Sequence, residues 1–476
     1  MRSRPPVLFA FLASFAGAQT PSPQIIPSTA PPQNAAEVAS QDASLTFQSK
    51  VNLVLVPVVV RDKTGKPVGS LTKDDFQLFD KGKLQIISRF SVEKADTRRI
   101  PVAPQAEKSP AETAADAAAP GMVVPDHFVA WFFDDIHLSF PDLAQARQAA
   151  EQYLLTNLNE TTRMAIYTTS GQTVIDFTDN FQQLRDGLAQ LRPRPIARPL
   201  AQECPDVSYY MADLIVNRND AAALNTAAQD AYACLNMSPP QTIKDAQPIA
   251  QSAAYRVLSA GEQETRVSLG TLKDLVRRMG AMPGQRVVVM ISPGFLRLND
   301  QLQDESDIID RAIKANVTIS ALDARGLYTD TPDISKRSVS STLVAKQQYD
   351  REAARADADV MAELAAATGG TFFENNNDLS RGMTDLSTVP EVYYVLAFSP
   401  QNLKLDGSYH NLKIALRTPA GLSIKARRGY YAPRHLSDAD EEAKEEISQA
   451  LFSRDEMRDI PVDMHTQFFK AGADEA

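Results

Sequence analysis

Residues 128–133 are apolar without alternation, and this run is the clearest pattern in the chain. Such a run predicts a strand that is buried on both faces of a sheet. From there to residue 398, short apolar runs alternate with stretches of helical periodicity, which predicts a mainly parallel sheet with helices on both faces. The tight turn at residues 170–171 predicts one antiparallel hairpin at the edge of that sheet. The indicated fold class is therefore α/β, a doubly wound, Rossmann-like sheet.

Patterns of short β-strands precede and follow this region. The N-terminal β unit, residues 47–95, contains strand patterns on both sides of a turn at residues 81–83. Residues 401–433 contain two more strand patterns around a turn at residues 418–421, which predicts a C-terminal hairpin. Since neither piece alone buries much apolar surface, we expect the two to pack together as a small β-sandwich.

The α/β region, residues 127–400, is thus expected to be inserted between the two β segments. It contains an insertion of its own, residues 193–262, which is rich in alanine and polar residues and shows no strand pattern. Stretches rich in proline and alanine predict a disordered linker at residues 19–46 and a second linker at residues 96–126. Residues 434–476 predict an acidic helix followed by one last strand.

The first residues of the chain are typical of an export signal. Arg2 and Arg4 precede a short apolar run, and the small residues at 16–18 fit a cleavage site, so residues 1–18 are expected to be removed on export. The apolar run is too short to span a bilayer as an ordinary helix, and no later segment is long and apolar enough. We therefore expect a periplasmic or extracellular protein with no integral membrane segment after signal cleavage.

Charge and cysteine content narrow the class of protein further. The net charge of −10 disfavours nucleic acid as a partner. Cys204 and Cys234 are the only cysteines, and in an exported chain an isolated pair predicts one disulfide, here within the insertion. Two buried free thiols are the alternative. A metal site is disfavoured because no histidine lies near the pair in sequence.

Polar side chains follow the apolar run directly. Four of them carry candidate chemistry: Asp134, Asp135, His137 and Ser139. They come at the carboxyl end of the predicted strand, where open α/β sheets bind ligands. The loop has no glycines of the kind that cradle a phosphate, so it indicates binding of a metal through oxygen ligands or of a partner. Ser139 also fits a helix N-cap, and Asp135 can favour the positive end of that helix.

Several further motifs accompany this loop. They are residues 65–83 (Gly-Lys-Pro-Val, Leu-Thr-Lys-Asp-Asp-Phe and Asp-Lys-Gly-Lys), 133–139, 283–295 with 322–327, and 367–370 with 394–396 and 428–430. As a set they resemble the von Willebrand factor A domain and, more closely, the proteins related to this domain in Acidobacteria. The resemblance covers most of residues 50–432. It implies adhesion or scaffolding rather than catalysis, often through a magnesium ion at the strand ends.

The metal site implied by the resemblance is where this sequence departs from the family. The family pattern is Asp-x-Ser-x-Ser, with a threonine from a second loop and an aspartate from a third. Asp135, His137 and Ser139 align with the first part, with a histidine in place of a serine. With Asp134 as the anchor, apolar residues take the hydroxyl positions. The third loop has Ser292 where the acid is expected, and the threonine has no assigned position.

The expected metal site is therefore weak or absent. A bound magnesium ion would stay largely hydrated, because the site lacks one carboxylate. Its predicted protein ligands are Asp134, Asp135, Ser139 and Ser292. The predicted contacts to a partner protein are Asp135, His137, Ser139 and Asp323, the last of which follows another strand of the sheet.

These patterns together predict an exported binding or scaffold protein rather than an enzyme. It is expected to recognise an unidentified partner protein through its strand-end loops. The sequence contains no His-Glu-x-x-His, Gly-x-Ser-x-Gly or Walker motif. The alternative is a secreted metal-assisted hydrolase that uses Asp134, Asp135 and His137.

Overall fold

The structure is a computed structural model that describes most of the chain. The described residues are 53–94, 99–100, 122–123, 127–158, 161–196, 204–327, 341–389, 392–400, 408–417 and 421–432. The predicted signal at residues 1–18, the linker at 19–46 and the terminal segment at 434–476 lie outside them, as does most of the linker at 96–126.

The described residues form strands and α-helices in the following order. The strands are β1 (Val54–Arg61), β2 (Phe76–Asp80), β3 (Lys83–Gln85), β4 (Ile87–Lys94), β5 (Arg99–Ile100), β6 (Met122–Val123), β7 (His127–Phe133), β8 (Thr162–Thr168), β9 (Val174–Thr178), β10 (Gln285–Ser292), β11 (Val317–Asp323), β12 (Phe372–Phe373), β13 (Val392–Phe398), β14 (Tyr409–Leu416), β15 (Ser423–Ala426) and β16 (Gly429–Tyr431). The α-helices are α1 (Phe140–Asn157), α2 (Phe181–Gln190), α3 (Tyr209–Val216), α4 (Ala221–Cys234), α5 (Ile243–Gly280), α6 (Leu302–Lys314), α7 (Leu343–Thr368) and α8 (Leu379–Ser387).

The central sheet has the strand order β12-β11-β10-β7-β8-β9. Its strands run parallel except for β9, which pairs antiparallel with β8 at the edge. The α/β fold class, the inner position of β7 and the edge hairpin are thus as the sequence predicts. This arrangement is consistent with a von Willebrand factor A-like α/β fold.

Side chains of β7 alternate between two apolar cores, and every residue of the strand is buried. Phe128 and Phe132 pack on one face against α5, α6 and α7. Trp131 and Phe133 pack on the other face against α1, α2 and α8. Because both faces are covered by helices, the strand needs apolar side chains at every position. This explains the unbroken apolar run in the sequence.

Two antiparallel sheets form the β-sandwich, with the orders β15-β1-β13-β4 and β16-β14-β2-β3. Strands from before and after the α/β region share one core, in which Val58, Leu78, Leu396 and Leu412 are buried. The expected packing of the two β segments is therefore confirmed. The hairpin at residues 81–83 also forms, with Asp80 paired to Lys83.

Two parts of the β-strand prediction are wrong. Strand β13, expected in the parallel sheet, instead pairs antiparallel with β1 and β4 in the sandwich. Strands β14 and β15 do not form the predicted hairpin, because β14 pairs with β2 and β16 while β15 pairs with β1. A short apolar run indicates a buried strand but does not identify its neighbour, so both sheets fit the same pattern.

The insertion is helical and has its own apolar core. Helices α3 and α4 pack against the first half of α5, largely through alanine side chains. Helix α5 begins at Ile243, inside the predicted insertion, so it crosses the predicted boundary at residue 262 and continues onto the sheet. The predicted disulfide joins Cys204 to Cys234 within this unit. Among the described helices, none combines the length and apolar character needed to cross a membrane.

Candidate partner-binding site

Asp134 lies where three strand ends of the central sheet meet. Its side chain is fully buried. Thr169, after β8, donates its hydroxyl hydrogen bond to Oδ1 at 3.0 Å, and Ser292, at the end of β10, donates to Oδ2 at 2.7 Å. The Nδ1 atom of His137 lies 3.0 Å from Oδ1 and 2.9 Å from Oδ2. The carboxylate therefore binds hydroxyl and imidazole groups of its own chain on both oxygens.

His137 and Asp134 act as an ion pair. Burial opposes the charge on His137, but the Asp134 carboxylate outweighs it and raises the pKa of the imidazole above its ordinary value. Burial likewise opposes the charge on Asp134, but His137 and the two hydroxyl donors lower the pKa of that carboxyl. The His137 ring also stacks on Phe295, with 5.3 Å between ring centroids. The imidazole is thus held in one orientation by both contacts.

Asp135 faces a different group from its neighbour. The backbone N–H of Ser170 donates to Oδ1 at 2.9 Å, and its hydroxyl donates to Oδ2 at 2.5 Å. Burial raises the pKa of the Asp135 carboxyl, against the hydrogen bonds from Ser170 and with a smaller contribution from the charge of Asp134. The carboxylates of Asp134 and Asp135 therefore point to different groups, although the two residues are adjacent in the chain.

Ser139 and Asp323 are also engaged within the chain. The Ser139 hydroxyl donates to Oδ2 of Asp142 at 2.5 Å and accepts the backbone N–H of Asp142, as an N-cap of α1. Asp323 accepts two hydrogen bonds from the guanidinium of Arg325, at 2.9 and 2.7 Å. The structure thus brings Asp134, His137 and Ser292 together, while Asp135, Ser139 and Asp323 each face a separate group.

As arranged, these side chains do not fit a magnesium ion. Three donors of its own chain bind the Asp134 carboxylate, with Thr169 on Oδ1, Ser292 on Oδ2 and the Nδ1 atom of His137 shared between the two oxygens. The nitrogen of His137 lies against both oxygens that a hard cation would need. Within the described ranges, no group of three or more His, Cys, Asp or Glu side chains is placed to hold a metal.

Sequence reasoning missed Thr169 and Ser170 as members of this site. Both follow β8, the neighbour of β7, and therefore lie at the same edge of the sheet as Asp134. The signal in the sequence is a pair of hydroxyl residues at the end of a strand pattern, next to the tight turn at residues 170–171.

A cleft of about 380 Å³ opens beside His137, between the strand ends and the insertion. One wall comes from His137 and the loop after β10, and the other from α3 and α5 of the insertion. The lining residues are His137, Val207, Tyr209, Arg256, Val257, Ala260, Gly261, Glu264, Gly294, Phe295, Leu296 and Asp357. The cleft therefore combines apolar walls with a small number of charged groups, as ligand sites generally do.

Asp357, on α7, is the most perturbed acid in this cleft. Burial raises the pKa of its carboxyl to about 6, although Arg325 and His137 oppose the shift. Its backbone carbonyl accepts the N–H of Phe295 at 3.2 Å. Gly294 has a φ of +87°, and a Cβ there would collide with the same carbonyl, so glycine is required for this close approach. Within the described ranges, the carboxylate itself has no hydrogen bond or ion pair.

Comparison with known proteins does not assign a family. No protein-family model matches the sequence, and no curated protein matches it. An aerotolerance-related membrane protein from Bacteroides fragilis is 12% identical over 55% of this chain and 98% of its own, with a TM-score of 0.27. BatB from Bacteroides thetaiotaomicron is 9% identical over 55% of this chain and 96% of its own, with a TM-score of 0.24. The pilus adhesin SpaC from Lactobacillus rhamnosus GG, in its open conformation, is 6% identical over 65% of this chain and 44% of its own, with a TM-score of 0.29.

Proposed function

We propose that this protein is an exported binding or scaffold protein that receives a basic side chain of a partner protein in the cleft beside His137. The observation that carries the proposal is the Asp357 carboxylate. It lines the cleft, it is desolvated enough to raise its pKa to about 6, and no donor among the described residues contacts it. A partly buried, desolvated carboxylate with no hydrogen-bond donor destabilises the fold when it is ionised, so its presence supports a role in binding.

The chemistry of the cleft favours a lysine or arginine side chain. With the Asp134–His137 pair neutral overall, the charged groups of the lining are the carboxylates of Asp357 and Glu264 and the guanidinium of Arg256. The excess negative charge attracts a cation, which would form a charge-assisted hydrogen bond with Asp357. The apolar walls suit the aliphatic stem of such a side chain.

In this proposed function, the Asp134–His137 pair does not bind the partner's cation but positions the wall of the cleft. His137 lines the cleft, and its orientation is set by Asp134 and Phe295. Phe295 in turn belongs to the loop that closes against Asp357. Magnesium has no required role, and any magnesium bound at Asp134 would be held weakly. The Cys204–Cys234 disulfide supports export, because such bonds persist in oxidising compartments.

A peptide-binding assay with the full chain tests this proposal. The probes are short peptides with no other charged group that carry a single arginine, lysine or glutamine at one position. We expect arginine and lysine peptides to bind and glutamine peptides not to bind. Asp357→Asn should weaken binding at least tenfold, which corresponds to about 1.4 kcal/mol. The matched control is Asp359→Asn, which removes an exposed acid from the same helix.

Two results would contradict the proposal. Equal binding of glutamine and arginine peptides would show that the cleft does not recognise positive charge. An equal loss of affinity in Asp357→Asn and Asp359→Asn would show that only the overall charge of the protein matters. Proteins captured from the exported fraction count as partners only where Asp357→Asn loses them and Asp359→Asn keeps them.

A hydrolase is the second candidate, and the Asp134–His137 pair is the observation that favours it. A carboxylate that orients a histidine in a cleft resembles a general-base arrangement. However, Asp135 is bonded to Ser170, and within the described ranges no serine, threonine or cysteine side chain is hydrogen-bonded to the His137 ring. A turnover screen decides between the two, because hydrolysis that is lost in His137→Gln and kept in Asp357→Asn would support the hydrolase.

A further inference from the structure

Four cationic side chains converge at the end of the parallel sheet opposite to Asp134. Arg286 lies at the start of β10, Arg61 at the end of β1, and Lys425 and Arg427 in and after β15. They line one cavity of about 100 Å³ between the β-sandwich and the α/β sheet. In a protein with a net charge of −10, such a concentration of positive charge calls for an explanation.

Two of these guanidinium groups have buried donors without acceptors. The Nε atoms of Arg286 and Arg427 are buried and have no hydrogen-bond partner among the described residues. Arg427 is only 6% exposed. Other nitrogen atoms of these arginines donate to backbone carbonyls. Arg61 donates to the carbonyl of Gly65 at 2.7 Å, and Arg286 donates to the carbonyl of Ala315. The buried Nε–H groups therefore point to a missing acceptor, since a buried unsatisfied donor is costly.

The acidic side chain beside this cavity does not supply an acceptor for the buried Nε–H groups. Among the residues that the structure describes, Asp385 is the one acid that lines the cavity, and it forms an ion pair with Arg381 at 3.4 Å. Burial lowers the pKa of Arg427 to about 10. The side chain of Lys425 remains open to solvent, but desolvation by the surrounding groups and the like charge of Arg61 lower the pKa of its amine to about 8. The cluster is thus partly desolvated and self-repelling, which an anion would relieve.

The C-terminal end of α7 offers a purely structural explanation for the four cations in this cavity. Thr368 and Gly369 line the cavity, and cations are favourable near the negative end of a helix. However, the carbonyls of Ala365 and Ala366 already accept the backbone N–H groups of Gly370 and Arg428. The helix end contributes a favourable field, but these carbonyls are already bonded.

We propose that this cavity binds one small oxyanion of the phosphate or sulfate class, held by Arg61, Arg286, Lys425 and Arg427. The cavity is roomy enough for a single tetrahedral anion beside the four cations. Guanidinium groups match the oxygens of such an anion in pairs. Because the anion contacts both the sandwich and the α/β sheet, its binding should stabilise the interface between them.

Thermal unfolding of the full chain in sulfate, phosphate and chloride at equal ionic strength tests this site. We expect Tm to rise saturably with sulfate and with phosphate but not with chloride. Lys425→Gln should weaken the apparent sulfate affinity at least tenfold. The matched control is Arg428→Gln, which removes an exposed cation three residues away that does not line the cavity.

The pH dependence gives a second, independent measurement. Sulfate keeps its charge between pH 6 and 9, so any change in its affinity there reports on the protein. Affinity should fall as pH rises through about 8, where Lys425 loses its proton, and this fall should be absent in Lys425→Gln. The proposal is overturned if sulfate stabilises no more than chloride does, or if Arg428→Gln loses the response while Lys425→Gln keeps it. An affinity that stays constant across pH 8 would also overturn it.

Discussion

The Nδ1 atom of His137 lies within 3.0 Å of both carboxylate oxygens of Asp134, at the point where the ends of β7, β8 and β10 meet. At these strand ends, the negative charge of Asp134 is therefore paired with the imidazole of His137 from the same chain. Asp134 thereby links a loop histidine to hydroxyl groups from two neighbouring strands. We infer that this pair organises the loops whose outer surface forms the cleft.

Replacing Asp134 by Asn should destabilise the fold strongly. The change leaves the partly buried His137 without its counter-charge, and removing one partner of a fully buried ion pair costs about 3–5 kcal/mol, so the loss should approach that range. Urea unfolding measures the loss. Asp142→Asn, which removes a carboxylate from the first turn of α1, serves as the control and should cost at most about 1 kcal/mol. Similar losses in the two variants would show that the pair is not an important contact.

Much of the fold follows from local patterns in the sequence. The unbroken apolar run of β7 and the tight turns of the hairpins each depend on residues close together in the chain. The neighbours of β13, β14 and β15 were not predictable, because strand pairing depends on residues several hundred positions apart. The alanine-rich start of α5 is not predictable from the sequence, because its small side chains give a weak apolar pattern.

The candidate site was predictable only where it follows strands. Asp134, His137 and Ser292 come at the ends of parallel strands, and parallel strand ends share one edge of the sheet. Asp357 and Glu264 lie within long helices far from that loop in sequence. Nothing local marks them as cleft residues, because a single acid in a helix is usually exposed to solvent. Only the packing of the insertion brings them to the cleft.

Removing the Cys204–Cys234 disulfide should loosen the insertion and leave the central sheet folded. The bond joins residues 30 positions apart, and closing a loop of that length contributes about 3–4 kcal/mol. In the double Cys→Ser variant, hydrogen exchange should increase in α3 and α4 but remain slow in β7. Equal acceleration in β7 would contradict this localisation. Titration of two free thiols per chain in the denatured, unreduced protein would show that the bond is absent.

Magnesium should stabilise the protein very little. Both oxygens of Asp134 are engaged, and Ser292 stands where a further carboxylate would be needed. For a Kd near millimolar, the gain in free energy of unfolding at roughly 1 mM magnesium is about 0.4 kcal/mol. Calorimetric melting with and without magnesium measures it. A shift of many degrees that disappears in Asp135→Ala would show an intact metal site.

Asp357→Asn should stabilise the fold at neutral pH while it weakens peptide binding. The folded pKa of about 6 lies above the ordinary 3.8, so the folded state binds more protons and stability falls as pH rises between these values. The variant should therefore gain up to about 3 kcal/mol above pH 6 and almost nothing below pH 4. Urea unfolding of the parent, Asp357→Asn and Asp359→Asn at pH 4 and 7.5 measures this. A destabilised Asp357→Asn at pH 7.5 would mean that the carboxylate has a structural partner, and the cleft would then lose its proposed anchor for a basic side chain.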